Sequence, residues 1–146
     1  MLKGIPKIIS PALLKALCEM GHGDTLVIAD GNFPAESVGK NALVIRYDAV
    51  GVTPLLKAIL ELFPLDTYVE KPVSLMAVVP GDKVETPIWE EYKAAIREVD
   101  ARGDDTVENI ERFAFYEKAK DAYLVIATSE SALYANIILQ KGVVKE

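Results

Sequence analysis

The sequence predicts a single three-layer α/β/α domain with a mostly parallel or mixed sheet. Short runs of apolar, β-forming residues recur along the chain, too brief for helices and apolar on successive positions, as in strands buried on both faces. Segments with apolar residues at helical spacing alternate with them, and three carry a Ser-Pro or Thr-Pro pair at their start. No linker, repeat or low-complexity stretch divides the 146 residues, a length that suits one domain over 1–146.

The elements follow in order. "SPALLKALCEMG" has Ser10 as N-cap, Pro11 at the first helical position, Leu13, Leu14 and Leu17 on one face and Gly21 as the stop. Cys18, inside this helix, reads as a small buried hydrophobe. "TLVIAD" (25–30) is a buried strand, and "NALVIRYD" (41–48) repeats its signature. "VTPLLKAILELFP" is a helix capped by Thr53 and ended by Pro64. "VSLMAVVPGD" is a buried strand closed by a Pro-Gly turn, and "TPIWEEYKAAIREVDARG" a helix that exits at Gly103. A strand near "VENIER", a helix through "FAFYEKAKDA", the strand "YLVIATS" and a last strand near "NIILQKG" complete the alternation.

Composition narrows the function. Hydrophobic residues make up 51% of the chain against 26% charged, which excludes disorder, and no apolar run approaches the roughly 20 residues that cross a bilayer. "MLKGIPKIIS" is interrupted at Pro6 and too short for a secretory signal, so a cytoplasmic protein is expected. The lone cysteine allows no intramolecular disulfide, and no Cys/His group has zinc spacing, so no metal is expected. A net charge of −6 without any basic stripe argues against nucleic acid as a partner. A mean hydropathy of +0.19 points to apolar surface covered by packing between subunits.

Ligands of open α/β sheets bind beyond the carboxyl ends of strands, where Asp30 falls. There is no GxGxxG, Walker loop, GxSxG elbow or paired cysteine nucleophile, which removes the commonest nucleotide and acyl-transfer readings. What remains is a set of polar groups at element ends: His22, Asp24, Asp30, Asn32, Arg112, Tyr116, Tyr134 and Asn136. Each has an ordinary reading. His22, the only histidine, could be a surface loop residue, although Gly21 and Gly23 leave its imidazole unshielded. Asp24 reads as a turn cap, and Asp30 equally as a turn former before Gly31. Arg112 could pair with Glu111 or Glu117, while Phe113, Phe115 and Tyr116 read as core. Together the groups suit a polar small molecule such as a sugar, with one acid/base group active near neutral pH.

Four stretches sharpen this. "GIPKIISPALLKALCEMGHGD", "IADGNFPAES", "ERFAFYEKAKDAY" and "YANIILQKGVV" resemble the L-fucose mutarotase and ribose pyranase family, and lie closer to its fucose mutarotase branch. The likeness covers nearly the whole chain. It implies a cofactor-independent, metal-free isomerase that interconverts the α and β anomers of a pyranose, L-fucose first. The histidine of MGHGD, here His22, would be the proton donor. Substrate contacts would be Asp30, Arg112 and the triplet Tyr134, Ala135 and Asn136. The resemblance also implies a homo-oligomer, a decamer or octamer, with sites at subunit contacts. This chain departs from the branch at Gly31 and Asn32, where D-A-H-F-P is usual, and at Ala135, where the triplet is commonly Y-G-N. Asn32 can still hydrogen-bond a hydroxyl but does not exchange a proton near neutrality.

Other readings are a ribose pyranase-like or broader aldose mutarotase, a non-catalytic monosaccharide-binding module, and a phosphocarrier using its one histidine. A straight strand over residues 25–29 would hold His22 and Asp30 up to roughly 25 Å apart. The expectation is therefore that His22 of one subunit meets Asp30 of its neighbour.

Overall fold

The computed structural model describes residues 1–146. The strands are β1 (Thr25–Ala29), β2 (Leu43–Tyr47), β3 (Val73–Met76), β4 (Val107–Ile110), β5 (Leu124–Thr128) and β6 (Ile137–Gln140). The α-helices are α1 (Pro11–Glu19), α2 (Ala35–Val38), α3 (Val52–Leu60), α4 (Pro87–Val99) and α5 (Arg112–Lys120). The strands form one sheet in the order β2-β5-β1-β6-β3-β4. β6 runs antiparallel to both of its neighbours, and the other pairings are parallel, so the sheet is mixed.

The two-residue period of a strand explains why its central runs are apolar throughout. Leu26 and Ile28 of β1 point into one core with Leu124 and Ile126 of β5, under α1, α3 and α4. Val27 and Ala29 point into a second core with Val125, Ala127 and Ile138, covered by Val38 of α2 and Phe115 and Ala119 of α5. Each fully buried Leu or Ile contributes about 2 kcal/mol of transfer free energy, so both faces need their helical layer. No helix is long and apolar enough to cross a membrane.

Several details depart from the sequence reading. β2 is an edge strand and only partly buried, with Leu43 exposed, because its place in the sheet leaves one side without a partner. Cys18 is exposed, since α1 turns Leu13, Ala16 and Leu17 inward. α3 begins one residue before Thr53, after Gly51, and its Val52 N–H is met by the Glu130 carboxylate at 3.2 Å instead of by a local cap. Thr53 donates to Glu91 at 2.8 Å, joining α3 to α4. The helix ends at Leu60, before Pro64. β3 stops at Met76, and residues 77–86 form a long turn over the sheet end. Phe113 is exposed and Tyr116 half-buried, so of the three expected core aromatics only Phe115 is buried.

This topology sorts the functional candidates to two ends of the sheet. Asp30 after β1, the 77–86 turn after β3, Arg112 after β4 and Asn136 before antiparallel β6 share one end. His22 before β1 and Gln140 at the finish of β6 share the other.

Candidate active site

A cleft of about 310 Å³ opens at the first of these ends. That is the small end of the range for small-molecule pockets, about 300–1,000 Å³. Asp30, Asn32, Asp82, Arg112, Tyr134 and Asn136 supply its polar wall, and Phe33, Met76 and Leu133 part of its apolar one. Tyr116 closes one side, with its ring 5.6 Å from that of Phe33.

Asp30 is buried at the end of β1. Its carboxylate accepts the Asn32 N–H at 3.0 Å, forming the turn that brings Asn32 to the cleft. Its own N–H donates to Asn136 Oδ1 at 2.7 Å, which ties the start of β6 to the end of β1. Burial pushes the Asp30 carboxyl above its ordinary value; the amides of Asn32, Ala135 and Phe33 and the Asn136 side chain offset this only in part. A desolvated carboxylate of this kind is a strong acceptor for a ligand hydroxyl.

Arg112 is the first residue of α5, whose opening N–H groups on Phe113 and Ala114 are capped by the Glu111 carboxylate at 2.9 and 3.1 Å. Glu111 is committed to that cap and Glu117 to Lys120, so Arg112 forms no ion pair. Its guanidinium carbon instead lies 5.5 Å from the Phe113 ring centre and 5.6 Å from that of Tyr116. Cation–π contacts hold it over the cleft with its donors unspent.

Tyr134 adopts a left-handed backbone, φ +56°, which is unusual for a residue with a bulky side chain. Two side chains of α4 pin it. The Trp89 indole donates to the Tyr134 carbonyl at 2.8 Å, and the buried Tyr92 hydroxyl to the Ala135 carbonyl at 2.7 Å. The Tyr134 hydroxyl donates to Asp82 Oδ2 at 2.6 Å. Sequence reasoning missed Asp82, whose only signal is the Pro-Gly-Asp turn, and a turn signal does not say where the turn folds. Ala135 was expected among the substrate contacts, yet its side chain is fully buried and does not reach the cleft.

His22 and Asp24 lie outside the cleft, at the far end of β1. Asp24 accepts the Gly21 N–H at 2.7 Å and closes the turn around His22. His22 Nε2 sits 3.1 Å from Oδ1 of Asp66, a residue only 1% exposed, and its ring tilts against Tyr68 at 5.0 Å. Asp66 also accepts the Tyr68 N–H at 2.9 Å and the Gln140 amide at 2.9 Å. Burial pushes the Asp66 carboxyl up, but these bonds together outweigh it and hold the group below its ordinary value. An ionised carboxylate has no hydrogen to give, so Nε2 carries the proton of that contact. Nδ1 is then the nitrogen left to exchange a proton with a ligand. Asp66 was another residue the sequence reading missed, because it stands 44 positions from His22 with no motif between them.

Comparison with known proteins resolves what this geometry belongs to. The profile of the RbsD / FucU transport protein family matches residues 3–144. The chain belongs to the RbsD / FucU family. Within it, mouse fucose mutarotase is 52% identical over 145 residues, 97% of this chain and 94% of the mouse protein. Among solved structures, FucU from Bifidobacterium longum is 68% identical with a TM-score of 0.96, covering 98% of this chain and 100% of that one. The fucose mutarotase of Streptococcus pneumoniae, solved in complex with L-fucose, is 48% identical with a TM-score of 0.92, covering 99% and 100%. Bacillus subtilis RbsD, solved with D-ribose, stands further off at 26% identity and a TM-score of 0.72, over 99% and 100%. The chain thus lies with the FucU members of the RbsD / FucU family, as its four motifs implied.

Proposed function

We propose that this protein is an isomerase that interconverts the α and β anomers of L-fucose by general acid/base catalysis, without metal or cofactor. The observation that carries the reading is the cleft itself. It sets a buried carboxylate, an unpaired guanidinium, a phenol and two amides around a sugar-sized space, in a chain 48% identical end to end to a fucose mutarotase solved with L-fucose.

Mutarotation needs a proton delivered to the ring oxygen and another removed from the anomeric hydroxyl, so that the ring opens and recloses on the other carbonyl face. Spontaneous exchange at on the order of 10⁻⁴ per second has a barrier of roughly 23 kcal/mol, and positioned acid/base groups contribute about 10²–10⁴ in rate. No group beyond such a pair is required. In this reading Asp30 accepts from sugar hydroxyls, Arg112 donates to them, and Asn136 and Asn32 complete the orientation. Protonated His22 donates from Nδ1, with Asp66 holding the ring.

His22 belongs to a different copy from the cleft it serves. Two features support a shared site. The His22 side chain is 45% exposed against Tyr68 (69% exposed), while the cleft end presents Phe113 (67%) and Leu133 (50%). Two apolar patches at opposite ends of one subunit suit a head-to-tail contact that closes into a ring, here a decamer or octamer. Cys18, free and exposed, suits a reducing, cytoplasmic setting.

The experiment is magnetisation-transfer NMR on equilibrated L-fucose, with D-ribose and D-galactose alongside. Substoichiometric protein should raise anomer exchange of fucose above its rates with the other sugars. Unchanged exchange would remove the enzyme reading and leave a monosaccharide-binding module.

A further inference from the structure

The cleft takes Leu133, Tyr134 and Asn136 from one segment, 129–136, that is neither helix nor strand. Irregular backbone is held only by the bonds that reach it, and a loose wall has to be ordered at the moment a ligand binds. We propose that Glu130 is a positioning residue for the sugar: it fastens the start of this segment to α3 and to the Asp30 turn, so that the cleft is formed before fucose arrives. This rests on the mutarotase reading and adds to it a residue that sets substrate affinity from outside the cleft.

Glu130 uses both its backbone and its carboxylate. Its carbonyl accepts the Gly31 N–H at 2.8 Å, next to Asp30, and its own N–H donates to Thr128 Oγ1 at 3.1 Å. Carboxylate oxygen Oε1 accepts the Ala132 N–H at 3.0 Å and closes a local turn just before Leu133. Oε2 accepts the Val52 N–H at 3.2 Å, at the start of α3. Ser129 adds to the seam, its Oγ accepting the Ala49 N–H at 2.9 Å and its N–H donating to the Val50 carbonyl at 3.0 Å. The finish of the segment is held separately, by Trp89 and Tyr92 on the carbonyls of Tyr134 and Ala135 and by the Asp30 N–H on Asn136.

Two glycines leave room for this one residue. A Cβ at Gly51 would lie 2.8 Å from Glu130 Oε2, closer than carbon and oxygen pack, and a Cβ at Gly31 would lie 3.1 Å from the Glu130 carbonyl. Neither glycine is among those with positive φ, and Gly51 has φ −85° and ψ 171°, which any residue adopts. What a side chain there would offend is Glu130. The only two non-glycine residues with positive φ, Ala49 (φ +63°) and Tyr134 (φ +56°), stand on the two segments that Ser129 and Glu130 join. Such backbone persists where its surroundings over-determine it. Glu130 does not line the cleft, and its two oxygens are each engaged by an N–H, so it acts through the segment it holds.

Two variants cut this tether by different routes. In Glu130→Gln the amide oxygen can accept one of the two N–H groups, while its NH2 meets the other, donor against donor. Gly51→Ala keeps the charge but puts a methyl group where Oε2 lies; that oxygen ends a flexible side chain, so the carboxylate swings aside and the backbone stays. Each variant should raise the KM for fucose about tenfold and keep kcat within about threefold of wild type, because the sugar must then order the segment as it binds. The double variant Glu130→Gln/Gly51→Ala should lose no more than the larger single loss, since both break one contact. A residue needed only for folding would lower the amount of active enzyme, and with it the maximal rate, and leave KM where it was. Trp89, the only tryptophan, donates to the Tyr134 carbonyl, so its emission should move to longer wavelength in both variants while they remain folded. A KM within about twofold of wild type in either variant overturns the proposal, as do full additivity in the double variant and an unmoved Trp89 emission. Exchange by wild type with such unaffected variants removes the tether alone. If wild type exchanges no sugar, the mutarotase reading falls, and calorimetric titration with L-fucose then decides the tether: binding about tenfold weaker in both variants upholds it, and equal titrations overturn it.

Discussion

His22 donates from Nε2 to Oδ1 of Asp66 across 3.1 Å, and Asp66 is one of the few buried charged residues of the chain. The contact fixes ring orientation and tautomer in a loop that would otherwise leave the imidazole free. Asp66 is itself fixed from β6 through Gln140 and from its own turn through the Tyr68 N–H. Replacing Asp66 by Asn should lower kcat by on the order of 10², because an amide can meet Nε2 with either its oxygen or its nitrogen and no longer selects the tautomer.

The same substitution has a stability signature. Asp66 is held below the ordinary carboxyl value of 3.8 in the folded protein. A group lowered on folding contributes stability that is complete above that value and is lost as pH falls through the lowered one. Asp66→Asn should therefore unfold more easily than wild type at pH 7, by about 2 kcal/mol, with the difference closing below about pH 4. Urea unfolding at a series of pH values reads this directly, and a gap that does not narrow as pH is taken progressively below 3.8 would contradict it.

Asp30 has the opposite sign. Burial raises its carboxyl, so ionised Asp30 costs stability above its folded value, and the cost disappears as pH falls through it. Asp30→Asn keeps an oxygen for the Asn32 N–H while removing the buried charge. Thermal melts at pH 8 should show the variant at or above wild type, converging in acid. Fucose affinity should fall by about 30-fold, the worth of roughly 2 kcal/mol in a charged hydrogen bond. A variant that melts well below wild type at pH 8 would show that Asp30 is held for folding, not for its ligand.

Of the glycines flanking His22, only Gly23 has a backbone that demands glycine, with φ +86°. A Cβ there meets nothing within 4 Å, so alanine costs backbone strain alone, about 1 kcal/mol. At Gly21 a Cβ would lie 3.7 Å from Asp24 Oδ2, an ordinary contact in an ordinary conformation. Gly23→Ala should lower the melting temperature by about 3 °C and Gly21→Ala should leave it nearly unchanged. Equal effects at both positions would mean that the loop is held by something other than this one dihedral.

What could be read in advance depended on how far each signal reached along the chain. Ser10 and Pro11 start α1 through contacts within one turn, the Leu13 N–H donating to Ser10 Oγ at 3.2 Å, and were legible. The apolar runs of β1 and β5 were legible because both of their faces are covered. The same signature misled at 43–47, since an edge position is a property of strand order and not of the strand. The cap of α3 comes from Glu130, 78 positions away, and the partner of Tyr134 is Asp82, 52 away. Such partners leave no local trace. Tyr134 stood among the polar groups at element ends, but its role as a substrate contact came only through resemblance, and its left-handed backbone contradicts the preference of any aromatic residue.

The separation of His22 from the cleft leads to a test of the shared site that needs no structure of the assembly. Within one chain β1 keeps His22 and Asp30 at opposite ends, up to roughly 25 Å apart. His22→Ala should abolish most exchange when expressed alone, and Asp30→Asn should do so at fucose concentrations well below saturation, where an affinity loss of about 30-fold tells in full. Co-expressed in equal amounts, the two chains assemble mixed rings in which a site draws its histidine from one copy and its aspartate from the next. About half the copies carry each intact residue, so about a quarter of the sites are whole and about a quarter of wild-type exchange returns. A site built within a single chain returns none, because every chain carries one defect. Purified variants mixed without subunit exchange should also return none, which separates a contact inside the ring from a passing encounter between assemblies.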